Sequence, residues 1–220
     1  MNGYEGLWEK FRRERRLEFG GHTDPQWKDG QSLSASFMIP VDAESIREGL
    51  RPLREALRPF PFVSLHPDHF MHITLLLPGF VVPEPGSGGE LSPGQLEELA
   101  YYAQEILSGF PPFTAELRNL NAFPGAVFVE VHDGGKTAEL REAIRRRCDL
   151  SEPPGPPHLT VAYIHAPDDS PAPAPFVEAI ERNRGRRVGD LRIDRVEVTL
   201  LDLDREYPEP ETFVSLPLGG

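Results

Sequence analysis

The sequence is almost without cysteine: Cys148 stands alone among 220 residues. An intrachain disulfide framework and a cysteine-rich metal knuckle are thereby excluded, and a reducing compartment is the natural expectation. Lysine is scarce too, with three against 20 arginines. Positive charge is not in excess, since 35 acidic residues leave a formal net charge of −12. That balance opposes tight, non-specific binding to a long nucleic acid, which needs many phosphate contacts. A small phosphate-bearing ligand in a local basic pocket stays open. Long apolar runs are absent. The longest, Ile73 to Val82, contains Pro78 and Gly79 and is about half of the ~20 residues a membrane helix needs. Met1 to Arg16 is charged throughout and lacks a signal peptide's apolar stretch. A soluble cytoplasmic protein with no membrane partner is expected.

What is present suits a packed core: 39% of residues are apolar and 13 are Phe. Residues 1–30 read as a charged N-terminal extension. A helix is expected from Gly6 to Phe19, with Leu7, Trp8, Phe11 and Leu17 as its apolar positions and Gly20-Gly21 as its stop. Residues 31–220 read as one domain of two lobes. Its first half has a strand over Leu33 to Val41, a helix over Glu44 to Leu57, and strands over Phe62 to Leu65 and Phe70 to Leu77. Residues 83–94, PEPGSGGELSPG, are a flexible connection. They lack the Gly-Lys-Ser/Thr ending of a phosphate-cradling loop.

The second half opens on a helix from Ser92-Pro93 to Leu107. Strands over Phe113 to Leu120 and Ala126 to Val131 follow, joined by the Phe123-Pro124-Gly125 turn. Next come a helix from Lys136 to Cys148, a strand over His158 to Ile164, and a short helix over Phe176 to Glu181. One long strand is expected over Leu191 to Leu201, and a last one over Phe213 to Leu218. The order gives an α+β fold in two similar halves.

Two segments share one pattern. His72-Ile73-Thr74-Leu75 and His158-Leu159-Thr160-Val161 are both His-apolar-Thr-apolar, 86 residues apart on expected strands. Residues i and i+2 of a strand point to one face. His72 therefore shares a face with Thr74, and His158 with Thr160, while Ile73 and Leu159 turn into a core. Two such strands across a cleft surround one small space with two imidazoles and two hydroxyls. That set suits phosphodiester chemistry. A neutral histidine can take a proton from an attacking oxygen while a protonated one gives a proton to the leaving oxygen. Threonine hydroxyls can hold the non-bridging oxygens. The scheme calls for no metal and no cofactor. Chance would produce such a pair about once in a thousand sequences of this composition.

On these motifs, together with FPGAVFVEV at 123–131, the chain resembles the 2H phosphoesterases, and within them the 2′-5′ RNA ligase or RNA 2′,3′-cyclic phosphodiesterase group. The likeness covers roughly residues 33–218. It implies a bilobal α+β fold with two pseudo-symmetric antiparallel sheets, flanking helices and a central cleft. It implies that 2′,3′-cyclic phosphates of RNA ends or small cyclic nucleotides are opened without a metal, with 2′-5′ ligation as the reverse reaction. It also implies His72 as proton donor, His158 as proton acceptor, and Thr74 and Thr160 as phosphate holders. A monomer is expected, because one chain supplies both walls of the cleft. The alternative is a nucleotide- or RNA-end-binding module with little chemistry.

Other residues bear on the same chemistry. Phe70 and Tyr163 are candidates for stacking on a base. His66, His69 and His72 are spaced by three, but Pro67 opposes the helix that would align them on a zinc ion. Arg145, Arg146 and Arg147 read as a solvated helix end. Cys148 has no charge partner that would activate it. His22, His132 and His165 stand alone and receive no role.

Overall fold

A computed structural model describes residues 3–86, 88–151 and 155–219. The chain begins with α1 (Gly3–Glu14), β1 (Arg16–Leu17) and α2 (Pro25–Lys28). Then come β2 (Leu33–Pro40), α3 (Glu44–Leu57), β3 (Val63–Leu65), a single 3-10 turn at Asp68–Phe70 and β4 (His72–Val81). The middle of the chain holds β5 (Glu90–Leu91), α4 (Pro93–Leu107), β6 (Phe113–Phe123), β7 (Ala126–His132), α5 (Lys136–Arg147) and β8 (His158–Ile164). It closes with β9 (Ser170–Pro171), α6 (Ala174–Arg182), β10 (Arg187–Ile193), β11 (Arg195–Asp202) and β12 (Glu211–Pro217).

Two antiparallel sheets follow from this order, β10-β6-β7-β8 and β4-β2-β11-β12, and they join edge to edge through β8 and β4. Each half repeats one plan. A strand (β2 or β7) leads through a helix (α3 or α5) to an antiparallel neighbour that begins on a motif histidine (β4 or β8). The expected α+β fold of two similar antiparallel sheets is thus what forms.

The helices pack on the sheet, with α1 on the face of the motifs, where Tyr4 meets Phe128 beside Thr160. The apolar positions of α3, Ile46, Leu50, Leu53 and Leu57, are all buried, and α3 lies against β10. Helices α1 and α6 lie against β6, and α4 packs on α5 and β12. Helix α4 starts with a capping box: Ser92 Oγ accepts from Gln95 N–H, while the Gln95 side chain accepts from Ser92 N–H. No helix among the described residues is long and apolar enough to cross a membrane.

Strand β4 runs His72–Val81 and not Phe70–Leu77, β6 extends to Phe123, and the expected connection over 83–94 contains β5; two further boundaries differ for a reason visible in the chain. The expected strand over Leu191–Leu201 is two strands in different sheets, β10 beside β6 and β11 between β2 and β12. The alternation records the break, since buried Ile193 and Val196 are three apart, not two. The helix expected over Gly6–Phe19 stops at Glu14. Arg15 turns left-handed at φ 48°, and Arg16–Leu17 pairs with β9.

The N-terminal residues are packed onto the domain. Trp8 and Phe11 are buried, with Phe11 edge-on to Phe176. The Tyr4 hydroxyl donates to the Pro157 and Val131 carbonyls and accepts from Val131 N–H, and Asn121 donates to the Tyr4 carbonyl.

Candidate active site

Strands β4 and β8 meet at Ile73, which lies opposite Leu159. Both side chains are fully buried. Opposed residues of a strand pair share a face, and their neighbours turn to the other face. One residue further along the antiparallel register, His72 stands across from Thr160 and Thr74 across from His158. The neighbouring strands extend these two rows. Pro40 lies beside His72 and Met38 beside Thr74, while Phe128 lies beside Thr160 and Glu130 beside His158. All four motif side chains are half-buried.

The two histidines are held alike. His72 Nδ1 lies 2.8 Å from the Phe70 carbonyl, and His158 Nδ1 lies 2.9 Å from the Pro156 carbonyl. A carbonyl only accepts, so each Nδ1 carries the hydrogen and each Nε2 is the working nitrogen. Aromatic rings support both imidazoles. Phe70 meets His72 edge-on at 5.3 Å, and His158 packs against Phe123 and Phe128 at 5.0 and 4.9 Å. Burial pushes the His72 pKa down to about 4, helped by the nearby His22 and His158, although the Phe70 carbonyl opposes it. Burial lowers His158 as well, against the Pro156 carbonyl. Both shifts favour the neutral imidazole, whose acceptor lone pair is at Nε2.

A cavity of about 290 Å³ adjoins His72 and Thr74. Its walls include Gly21, His22, Trp27, Ser36, Phe70 and Tyr163. Of the two stacking candidates, Phe70 is buried and Tyr163 half-buried. Phe70 is 1% exposed, surrounded by His22, His66, His72 and Tyr207. The Tyr163 ring is stacked parallel to Tyr207. Gly21 packs so closely that an added Cβ would lie 2.9 Å from Tyr163 Cδ2. Burial pushes the Tyr163 hydroxyl pKa up.

The remaining candidates lie elsewhere. His66 is buried, edge-on to Phe70, Tyr163 and Tyr207, and His69 bonds the Tyr207 carbonyl. Among the described residues no three His, Cys, Asp or Glu side chains are grouped to hold a metal ion. Arg145 and Arg146 both pair with Glu142. Arg147 pairs with Glu105 and covers the Tyr102 ring at 3.7 Å. The Cys148 thiol is pushed up to about 11 by burial.

His22 and Trp27 are the wall residues that the sequence did not single out. Nothing in the local pattern marks them, because they reach the cavity only through the docking of residues 18–29 onto the domain. Glu18 N–H bonds the Pro124 carbonyl and Gly20 N–H bonds the Ile164 carbonyl.

Two antiparallel sheets joined at their edge strands β4 and β8, each of those strands carrying His-x-Thr, define a two-histidine phosphoesterase architecture. The chain belongs to the 2′-5′ RNA ligase superfamily, whose family model matches residues 40–205. Solved structures share the fold. TT0787 of Thermus thermophilus is 19% identical, with a TM-score of 0.62 over 85% of this chain and 98% of that one. E. coli LigT complexed with NADP+ is 17% identical, with a TM-score of 0.63 over 86% of this chain and 100% of that one. LigT complexed with 3′-AMP is likewise 17% identical, with a TM-score of 0.63 over 86% of this chain and 99% of that one. No curated protein matches the sequence.

Proposed function

We propose that this chain is a hydrolase that opens 2′,3′-cyclic phosphates at RNA ends or on small nucleotides by two-histidine acid–base catalysis. The register at Ile73–Leu159 supports this reading, because antiparallel pairing there sets His72 and Thr74 opposite Thr160 and His158. Water attacks phosphorus, and His158 Nε2 takes its proton. The bond from phosphorus to the 3′ oxygen breaks, and His72 Nε2–H protonates that oxygen, leaving a 2′-phosphate. Thr74 and Thr160 donate to the non-bridging oxygens, where charge accumulates. The proton returns from His158 to His72 through solvent.

The acid step requires a protonated His72, although burial pushes its pKa down to about 4. The substrate supplies the correction. A phosphodiester anion beside the ring favours the imidazolium and raises its pKa on binding. LigT complexed with 3′-AMP and with ATP supports a nucleotide ligand here. A binding module with little chemistry is the second reading. The downward shift of both imidazoles favours it, because such a site lacks a ready proton donor.

The test is hydrolysis of 2′,3′-cyclic nucleotides and of a short RNA with a 2′,3′-cyclic end, with EDTA present. Wild type should turn over, and His72→Ala and His158→Ala should each lose at least ~100-fold while staying folded. Full activity in both variants would end the two-histidine reading. Tight nucleotide binding without turnover in wild type would favour the binding module.

A further inference from the structure

The cavity beside His72 is completed by residues 20–28, upstream of the stretch that matches the family model. Three observations concern what this segment brings. The first is an orphaned nitrogen. His22 is 6% exposed, and its Nε2 lies 2.8 Å from the Arg205 carbonyl. That carbonyl only accepts, so Nε2 carries the hydrogen and Nδ1 presents a lone pair. Nδ1 is buried and has no hydrogen-bond partner among the described residues. Burial also lowers the His22 pKa, which keeps the ring neutral. A buried acceptor without a donor is costly, and the residue that carries it lines the cavity.

The second observation is an exposed aromatic ring in the same cavity. Trp27 is 39% exposed and rests edge-on against Phe80 at 5.5 Å. Its helix is anchored: Asp24 caps Gln26 N–H, and Lys28 pairs with Asp204 at 2.6 Å. The third is that Phe70 is fully buried and Tyr163 is half-buried among Tyr207, His66 and Gly21. Trp27 is the most exposed aromatic ring of the cavity's lining. A volume of about 290 Å³ is at the small end of ligand pockets and suits one nucleoside.

We propose that residues 20–28 form the nucleoside subsite of this centre. Trp27 stacks on the base, and His22 Nδ1 accepts a hydrogen bond from a nucleoside donor, either an exocyclic amino group or a ribose hydroxyl. The assignment rests on reading the His72–His158 centre as a phosphate site, but not on any turnover there. Substrate choice would then be made by the N-terminal segment, while the two motifs handle the phosphate.

Calorimetric binding tests this, with 3′-AMP, the 3′-monophosphate of purine riboside and inorganic phosphate as probes. Trp27→Ala should bind 3′-AMP roughly tenfold or more weakly, and Trp27→Phe should recover most of the loss. His22→Phe, which keeps a ring in the pocket but no acceptor, should also weaken 3′-AMP. Phosphate binding should stay at the wild-type level in all three. If the His22→Phe loss vanishes with purine riboside monophosphate, which lacks the amino group, the donor is that amine; if it persists, the donor is the ribose. Either result supports the subsite. Wild-type 3′-AMP affinity in both Trp27→Ala and His22→Phe would overturn it, as would a wild-type protein that binds 3′-AMP no better than phosphate. A wild type without turnover but with Trp27-dependent nucleotide binding would sink the hydrolase reading and leave the subsite standing.

Discussion

Ile73 lies directly across from Leu159, and at this pair the two halves of the molecule join. Each residue is the apolar member between the His and Thr of its own motif. One contact thereby sets the register of both motifs. Slipping either strand by one residue would turn its His and Thr into the core and its Ile or Leu onto the opposite face. Burial of two aliphatic side chains is thus the physical reason that the four polar ones converge.

The threonines offer a test that spares the imidazoles. Thr74→Val and Thr160→Val keep size and β-branching but remove the hydroxyl. Each should lower kcat on a 2′,3′-cyclic nucleotide by about 10²–10³ if its hydroxyl holds transition-state charge. Changes confined to KM would show that the hydroxyls bind ground state and transition state alike.

Stability should depend on pH through the buried histidines. His72 is held at about 4 when folded, against about 6.5 for an unperturbed histidine. Burial also lowers His66, His158 and His22. The unfolded chain therefore binds more protons below pH 6.5, so stability rises with pH in that range. It should be fully present above pH 6.5 and decline from there toward pH 4. Urea unfolding at pH 7.5, 6 and 5 reads this directly, and His72→Gln should flatten the profile.

Docking of the N-terminal segment depends on a close backbone approach. A Cβ at Gly20 would meet the Gly125 carbonyl oxygen at 1.9 Å, and backbone on both sides cannot yield cheaply. Gly20→Ala should cost about 1–3 kcal/mol and shift residues 20–28 off the cavity. Hydrogen exchange over that segment should rise, and 3′-AMP affinity should fall with it.

Glu130 is a buried carboxylate, 1% exposed, beside His158 in the sheet. Asn119, Asn121 and Arg184 donate to it, and His132 lies 2.9 Å away. Arg184 also reaches Glu5 of α1. Glu130→Ala removes the shared acceptor, leaving Arg184 with Glu5 alone and Asn121 with the Tyr4 carbonyl alone. It should cost about 3–5 kcal/mol, measured by denaturant unfolding, with exchange of α1 amides rising first.

Most of this was legible locally. The duplicated His-x-Thr named four residues of the candidate site, because strand periodicity puts i and i+2 on one face. The apolar spacing of α3 gave its buried side, and Ser92-Pro93 gave the start of α4. Reading residues 191–201 as a single strand missed a phase slip of one residue between Ile193 and Val196. Phe70 and Tyr163 line the cavity, yet local sequence carries no information about how deeply each ring is buried.

The sequence by itself determined the elements and the motif pair, since periodicity and capping act between near neighbours. Only the tertiary structure decided who else stands at the site. His22 lies 50 residues before His72 in the chain, and it reaches the cavity because a glycine contact and two backbone hydrogen bonds dock residues 18–21 onto the domain. Such an encounter is set by packing between distant segments, and no spacing rule within either segment encodes it.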